Sequence, residues 1–213
     1  MTRSTGEQQP VQPIHFWFEF ASTYSYPAAV RITKVASVAG IEVVWEPFLL
    51  GPIFREQGWN DSPFNLYPRK GAYMWRDMER LCEAQGLPFS RPEKFPMNGL
   101  LAARVAVLGK DEAWLPDFVR AVYQANFAEG RDIGDPECIA DILAALALAA
   151  DELLERAGQD ENKKRLREHN ERANALGIFG APTFSVGSEL FWGGDRIGDA
   201  VAFARLGPSP EAD

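Results

Sequence analysis

The chain is poor in the residues that carry thiol and metal chemistry. Among its 213 residues there are two cysteines, Cys82 and Cys138, and two histidines, His15 and His169. The cysteines form no CxxC pair and are predicted to be reduced structural thiols. Neither histidine has a second candidate ligand at helical or hairpin spacing, and we expect His15 in a strand and His169 on a charged helix face. No metal site is therefore expected.

Long apolar runs and a basic stripe are also missing. The longest strongly apolar stretch, Ile142 to Ala150, has nine residues, whereas a bilayer span takes roughly 20, so a buried helix is predicted there. Thirty acidic and twenty-two basic residues give a formal net charge of −8. Because the basic residues are scattered, a nucleic-acid groove is not expected. The expected partner is a small molecule or a protein. Binding to a membrane or to a nucleic acid is not expected.

The first 47 residues predict a leader and a βαβ unit. Residues 1–13 are polar and lack the apolar core of a secretory signal, which predicts a flexible leader on a cytoplasmic protein. From Ile14 to Phe20, apolar side chains alternate with others, as in a strand. Helical spacing follows from Ser22 to Ala39, with Gly40 as its stop, and Ile41 to Trp45 form a second strand. Such a unit has parallel strands.

The rest of the chain predicts a helical block followed by a return to strands. Two short strands, Thr183 to Val186 and Glu189 to Trp192, flank a hairpin turn, and a last helix runs from about Asp195 to Leu206. Between the two strand regions, helices are predicted at Lys70–Gln85, Asn98–Leu108, Asp111–Ala128, Pro136–Ala150 and Glu161–Ala175. This order indicates an α/β protein with a thioredoxin-like fold interrupted by an all-helical insertion. Residues 14–47 and 173–207 would form the thioredoxin-like domain, 48–172 the insertion and 208–213 a flexible tail, with a cleft between the domains.

Three segments have the residues of a ligand site. Ser22 places a hydroxyl where the first helix presents unpaired amide groups and the positive end of its dipole. Pro182 stands at the start of the third strand, the position of a cis-proline in thioredoxin-like folds. Gly194 and Asp195 open the last helix, where free amides and a carboxylate could hold an amino-acid head group.

Each segment also has a purely structural interpretation. Ser22 or Ser25 could cap the first helix, since serine is among the preferred capping residues. An X-Pro bond is most often trans, which would make Pro182 part of an ordinary turn. Gly194 and Asp195 could be a hairpin exit followed by a helix cap.

Together the three segments resemble a known enzyme family. Ser22-x-Tyr24-Ser25-Tyr26, Gly180-Ala181-Pro182-Thr183 and Phe191-Trp192-Gly193-Gly194-Asp195-Arg196 are similar to motifs of the 2-hydroxychromene-2-carboxylate isomerases. That family is related to kappa-class glutathione transferases and to DsbA oxidoreductases. The resemblance extends over about 14–206 and includes the segment 68–74 of the insertion.

The resemblance implies a glutathione site. Ser22 would hydrogen-bond the glutathione sulfur and act as the catalytic residue, and Ala181 would pair with the cysteinyl backbone beside a cis-Pro182. Gly194 and Asp195 would hold the γ-glutamyl end. The other residues implied are Tyr24 and Asn60 for glutathione, and Lys70, Trp59 and Tyr73 for a small aromatic carboxylate substrate. Asn60 fits only with a one-residue insertion relative to the family, and Thr23 stands where the family usually has proline.

The implied reaction interconverts 2-hydroxychromene-2-carboxylate and trans-o-hydroxybenzylidenepyruvate by reversible addition of a glutathione thiolate, and the family suggests a homodimer. Three alternatives stay open. A kappa-like transferase would consume glutathione, although Tyr26 stands where kappa enzymes usually have tryptophan. A dithiol oxidoreductase would need cysteines where Ser22 and Ser25 stand. A thioredoxin-like module could instead bind a thiol or peptide without turnover.

Overall fold

The computed structural model describes residues 11–206. Apart from residues 11–13, the predicted leader lies outside this range, as does the predicted tail. The described chain contains a four-stranded mixed sheet, with strands β1 (Ile14–Phe18), β2 (Val43–Pro47), β3 (Thr183–Val186) and β4 (Glu189–Trp192). Their spatial order is β2-β1-β3-β4. β1 is parallel to β2 and antiparallel to β3, and β4 is antiparallel to β3, so the predicted βαβ unit and hairpin are both confirmed.

The helices confirm the predicted helical block between β2 and β3. The ten α-helices of the described chain are α1 (Ser25–Ala39), α2 (Leu50–Glu56), α3 (Pro63–Leu66), α4 (Pro68–Gln85), α5 (Leu100–Leu108), α6 (Leu115–Phe127), α7 (Pro136–Ala145), α8 (Ala150–Gly158), α9 (Asp160–Ala175) and α10 (Ile197–Leu206). Helices α2, α3 and α8 were not predicted. Two of them are hard to predict from the sequence pattern because they are short: α2 has seven residues and α3 has four, too few to show a helical period.

The prediction of one buried helix through Ile142–Ala150 is wrong. Helix α7 ends at Ala145, and α8 begins at Ala150. Between them, Ala147 has a φ of 57°, a left-handed conformation that ends helical hydrogen bonding. Alternating leucine and alanine are compatible with a continuous helix and with a tight connection between two helices. The sequence therefore does not indicate that α7 ends here.

Both faces of the sheet are covered. Phe16 and Phe18 of β1 belong to the large core, which also contains residues of α1, α10 and the insertion. Trp17, on the opposite face, is fully buried in a smaller cluster with Phe48 and Ile53. The alternation in β1 therefore does not separate a buried face from a solvent face, and Glu19, which follows the strand, is also buried.

Helix α6 of the insertion fixes the loop that follows β1. The Tyr123 hydroxyl donates to the carbonyl oxygen of Glu19 at 2.9 Å, and the Asn126 side-chain amide donates to the carbonyl oxygen of Phe20 at 3.2 Å. Both side chains are fully buried. Because these bonds satisfy backbone acceptors that would otherwise be buried without partners, they hold the loop before Ser22 in place.

Candidate active site

A large cleft lies between the sheet end, the tip of α1 and the insertion. Its volume is about 1800 Å³, larger than a typical small-molecule pocket of roughly 300–1000 Å³. Every residue for which the sequence predicts a catalytic or binding role lines it, namely Ser22, Tyr24, Trp59, Asn60, Lys70, Tyr73, Ala181, Pro182, Gly194 and Asp195. The fold thus brings together residues from five separate segments.

Ser22 joins the tip of α1 to the start of β3. Its hydroxyl donates to the carbonyl oxygen of Ala181 at 2.9 Å. Helix α1 begins at Ser25, and its N-cap residue is Tyr24, which makes no side-chain capping bond. The interpretation of Ser22 as a helix cap is therefore wrong: the hydroxyl points across the cleft wall rather than to the helix amides.

Ala181 and Pro182 are joined by the predicted cis peptide bond. A second cis bond, between Phe95 and Pro96, was not predicted. Next to Ala181, Gly180 lies under the Trp192 indole, and a Cβ at Gly180 would come within 2.6 Å of the indole nitrogen. Only glycine fits there without displacing Trp192, which forms the rim of the cleft with Phe179 at a ring distance of 4.9 Å.

Gly194 and Asp195 lie against the first turn of α1. A Cβ at Gly194 would be 3.6 Å from the Ala28 side chain, and the Arg31 guanidinium reaches the carbonyl oxygen of Gly194 at 3.4 Å. Asp195 belongs to a 3-10 turn, Gly194–Arg196, that leads into α10. Its carboxylate is exposed and faces the Arg196 guanidinium at 3.5 Å, so it is accessible to a charged ligand.

The insertion supplies the opposite wall. The Tyr24 hydroxyl donates to Asp77 at 3.1 Å, and Arg80 donates to the same carboxylate at 3.0 Å. Burial and the Asp77 charge raise the pKa of Tyr24 well above its usual range, so the phenol is a neutral donor. The Arg80 guanidinium also lies over the exposed Tyr73 ring.

Aromatic side chains from the segment between the start of α2 and the end of α4 also line the cleft. Trp59 packs on Phe54 with ring centroids 5.4 Å apart, and the Lys70 ammonium lies 5.5 Å from the Phe64 ring centroid. Asn60 is exposed next to Trp59. Lys70 is exposed as well, so its charge is free to meet a carboxylate.

Thr23 replaces the usual proline of the family without leaving the turn loose. It is 1% exposed, and its hydroxyl donates to the Met74 sulfur at 3.2 Å. Met74 belongs to α4, so this contact ties the tip of α1 to the insertion.

Glu19 is a site residue that the pattern of β1 did not reveal. It lines the cleft, is 7% exposed, and accepts a hydrogen bond from the Ala21 amide at 3.0 Å. Burial raises its pKa to about 7, although the amides of Ala21 and Ser22 lower it in part. The signal in the sequence was a single acid between Phe18 and Phe20, directly before the motif.

The cysteines and histidines lie away from this chemistry. Cys82 and Cys138 are free and buried, as predicted, and burial raises the pKa of Cys82 to about 11. His169 lies on the charged helix α9, as predicted, but it is largely buried and lies 3.6 Å from Glu46. Within residues 11–206, no group of three or more histidine, cysteine or acidic side chains is arranged to hold a metal ion. No helix in this range is both long and apolar enough to cross a bilayer.

The fold and the cleft define a thioredoxin-like protein with a helical insertion and a serine, rather than a cysteine, at the tip of its first helix. The DsbA-like thioredoxin domain matches residues 13–202. The chain therefore belongs to the DsbA-like thioredoxin family.

Two curated relatives and one solved structure show which enzymes the chain is similar to. The 2-hydroxychromene-2-carboxylate isomerase of Sphingobium xenophagum is 29% identical, over 86% of this chain and 93% of its own length. Glutathione S-transferase kappa 2 of Caenorhabditis elegans is 26% identical, over 89% of this chain and 90% of its own length. A solved structure of 2-hydroxychromene-2-carboxylate isomerase superposes with a TM-score of 0.80 at 24% identity, covering 89% of this chain and 92% of that one, which confirms the fold.

Proposed function

We propose that this protein is a glutathione-dependent isomerase that interconverts 2-hydroxychromene-2-carboxylate and trans-o-hydroxybenzylidenepyruvate. The observation that carries the proposal is the 2.9 Å hydrogen bond from Ser22 to the Ala181 carbonyl. It joins the helix tip, which favours an anion, to the cis-proline segment, which favours an extended peptide. Since no cysteine is among the described residues that line the cleft, the reactive sulfur would come from the ligand.

Each end of glutathione has a candidate partner. On binding, the Ser22 hydroxyl would turn from the Ala181 carbonyl to the sulfur and, with the first amides of α1, would stabilise the thiolate, which lowers a thiol pKa from its ordinary value of about 8.5. Ala181 would pair with the cysteinyl backbone beside Pro182. Asp195 and the amide of Gly194 would hold the γ-glutamyl ammonium and carboxylate. Asn60 would donate to the remaining polar groups of the tripeptide, and the Tyr24 hydroxyl, whose proton goes to Asp77, would accept from them.

The rest of the cleft suits a flat aromatic acid. Trp59 and Tyr73 would contact the ring, and Lys70 would attract its carboxylate. The thiolate would add to the conjugated double bond, which becomes a single bond and can rotate. Elimination would then break the carbon–sulfur bond and release glutathione unchanged, so glutathione would be a recycled cofactor.

Turnover of trans-o-hydroxybenzylidenepyruvate with and without glutathione tests the proposal. We expect catalysis only with glutathione, with no loss of free thiol as product accumulates. Lys70→Ala should raise KM for the substrate, whereas Lys164→Ala, an exposed lysine of α9 outside the cleft, should not. Equal rates with and without glutathione would contradict the proposal.

A kappa-class transferase activity is the second candidate, favoured by the 26% identity to glutathione S-transferase kappa 2. It would consume one thiol for each product formed, so the same thiol assay separates the two. Tyr26 does not decide between them, because its hydroxyl donates to the Pro88 carbonyl and its ring does not line the cleft. The homodimer, the cytoplasmic location and the two-domain division remain predictions from the resemblance and the sequence.

A further inference from the structure

Glu19 is a buried carboxyl group in the wall of the cleft without a cation to balance it. It is 7% exposed, and among the described residues no lysine, arginine or histidine lies within 4.0 Å of its carboxylate oxygens. A buried carboxylate without a counter-ion costs folding free energy. Such an arrangement concentrates at sites where a group must exchange a proton.

The position of this carboxyl group is fixed relative to Ser22. One oxygen accepts from the Ala21 amide at 3.0 Å, and the Ser22 amide donates to the Glu19 carbonyl at 3.0 Å. The side chain therefore folds back onto the loop that carries Ser22.

The neighbours of Glu19 restrict what can reach it. Tyr123 of α6 donates to its carbonyl oxygen and is the titratable group that faces it from the insertion. On the α5 side, a Cβ at Gly99 would lie 3.3 Å from the second carboxylate oxygen. Gly99 brings no charge, and Glu19 itself lines the cleft.

We propose that Glu19 exchanges a proton with the thiol that the cleft holds at Ser22. The inference rests on the proposed function for the identity of the thiol, but not for the position of the carboxyl group. The histidines are not available for this role, since His15 and His169 both lie against Glu46 and neither lines the cleft.

The proton balance is simple. When the thiol enters, the S–H bond breaks and its proton forms an O–H bond on the Glu19 carboxylate, so one negative charge moves from oxygen to sulfur. No electron is transferred to or from another compound. When glutathione leaves as a thiol, Glu19 returns the proton and is again ionised. Two adjacent negative charges never have to coexist in the buried wall, because like charges disfavour each other's ionisation.

A cysteine at position 22 tests the exchange without glutathione. Ser22→Cys is titrated by the ultraviolet absorbance of its thiolate, and the parent protein supplies the background of Cys82 and Cys138. Because interacting groups titrate as a pair, we expect a broad curve that a single pKa does not fit. Adding Glu19→Gln should leave a titration curve with a single step. Its midpoint should lie at a lower pH, where the proton concentration is at least tenfold higher. Glu42→Gln, which removes an exposed carboxylate outside the cleft, should leave the broad curve unchanged. Identical titrations with and without Glu19→Gln would overturn the proposal.

The unmodified protein provides a second measurement, which does not depend on whether the variants fold. Calorimetry of glutathione binding at pH 8, in two buffers of different ionisation enthalpy, counts the protons released. If the thiol proton passes to Glu19, we expect almost none, whereas release to the buffer would give about 0.8 proton per site for a thiol of ordinary pKa, and that result would contradict the exchange. If glutathione does not bind at all, the proposed function fails, and the position-22 titration still decides the role of Glu19.

Discussion

Glu19 and Glu46 are two buried glutamates near the same end of the sheet, and the fold treats them in opposite ways. Around Glu46, which is fully buried, lie His15 at 2.9 Å, Lys110 at 3.2 Å, His169 at 3.6 Å and Arg172. Glu19 has backbone amides but no cation. Burial by itself would raise the pKa of both, yet hydrogen bonds from His15 and Arg172 and the Lys110 charge lower that of Glu46 to about 2, whereas Glu19 stays at about 7.

The difference distinguishes a carboxylate that stabilises the fold from one that can gain or lose a proton. Glu46 lies on β2 and is contacted by β1, by the segment after α5 and by α9, so it connects the sheet to the insertion. Its charge is compensated and permanent. The charge of Glu19 is uncompensated, so it changes easily within the neutral pH range.

Removing the charge of Glu46 should have the largest effect on stability. Glu46→Gln would leave Arg172 and Lys110 without their buried partner, and breaking a buried ion pair costs about 3–5 kcal/mol. Urea unfolding at pH 7 measures the loss, with Glu42→Gln as an exposed control that should change stability by less than about 0.5 kcal/mol. Because the folded pKa is lowered, this stabilisation is present above about pH 4.5 and is lost as the pH falls toward about 2. A stable Glu46→Gln would mean that the cations are solvated rather than held.

The reverse pH dependence is expected at Glu19. Its folded pKa is raised from 4.5 to about 7, so the folded state loses stability as the pH rises through this range. Glu19→Gln should therefore gain stability relative to the parent, by about 3 kcal/mol between pH 4 and pH 9, given about 1.4 kcal/mol for each pKa unit. Thermal unfolding across this pH range measures the difference. If the difference in stability between Glu19→Gln and the parent does not change with pH, Glu19 titrates normally.

The contrast between the two glutamates also shows what the sequence could and could not predict. Short-range periodicity and turn residues were enough to predict β1 and the hairpin. The cis bond before Pro182 and the full set of ten residues that line the cleft followed from the family resemblance of the motifs, because no single local signal indicates them. The environments of Glu19 and Glu46 depend on Tyr123, Lys110 and Arg172, which are distant in the chain. The β1 pattern alone indicated one buried face, whereas the second cluster around Trp17 covers the other.

The same limit applies to the errors. Helix α2 forms although it has only seven residues and contains Gly51, because Ile53 is buried against Trp17 and Phe48. The break after Ala145 has no glycine or proline to announce it. Tertiary contacts decided both cases, and they are not visible in a single sequence.

A third carboxylate, Asp195, extends the comparison to an exposed position in the cleft. It is paired with Arg196 but solvated, so we expect little effect on folding and a loss of binding. Asp195→Ala should weaken glutathione binding by about 1.5 kcal/mol, or roughly tenfold in Kd, at the low end for a charged hydrogen bond. Asp199→Ala is the matched control, since Asp199 also pairs with Arg196 and lies outside the cleft. Equal calorimetric affinities for the two variants would remove Asp195 from the site.

Ser22→Ala should change stability only slightly, and it provides a direct test of the neighbouring Glu19. Its one observed side-chain bond, to the Ala181 carbonyl, is worth about 1 kcal/mol, so Ser22→Ala should fold nearly as well as the parent. If the hydroxyl stabilises the thiolate, the pKa of bound glutathione should rise in Ser22→Ala, and isomerisation should slow more at neutral than at high pH, where the thiolate forms without help.

Ser25→Ala is the control, because Ser25 is fully buried at the start of α1 and does not line the cleft. It should alter stability but not the thiolate titration. Because Glu19 and the thiol would share one proton, adding Glu19→Gln to Ser22→Ala should bring the thiol pKa part of the way back. If the thiolate titrates identically in the parent and in Ser22→Ala, Ser22 only braces Ala181, and the thiolate must be stabilised by the backbone amides of α1 alone.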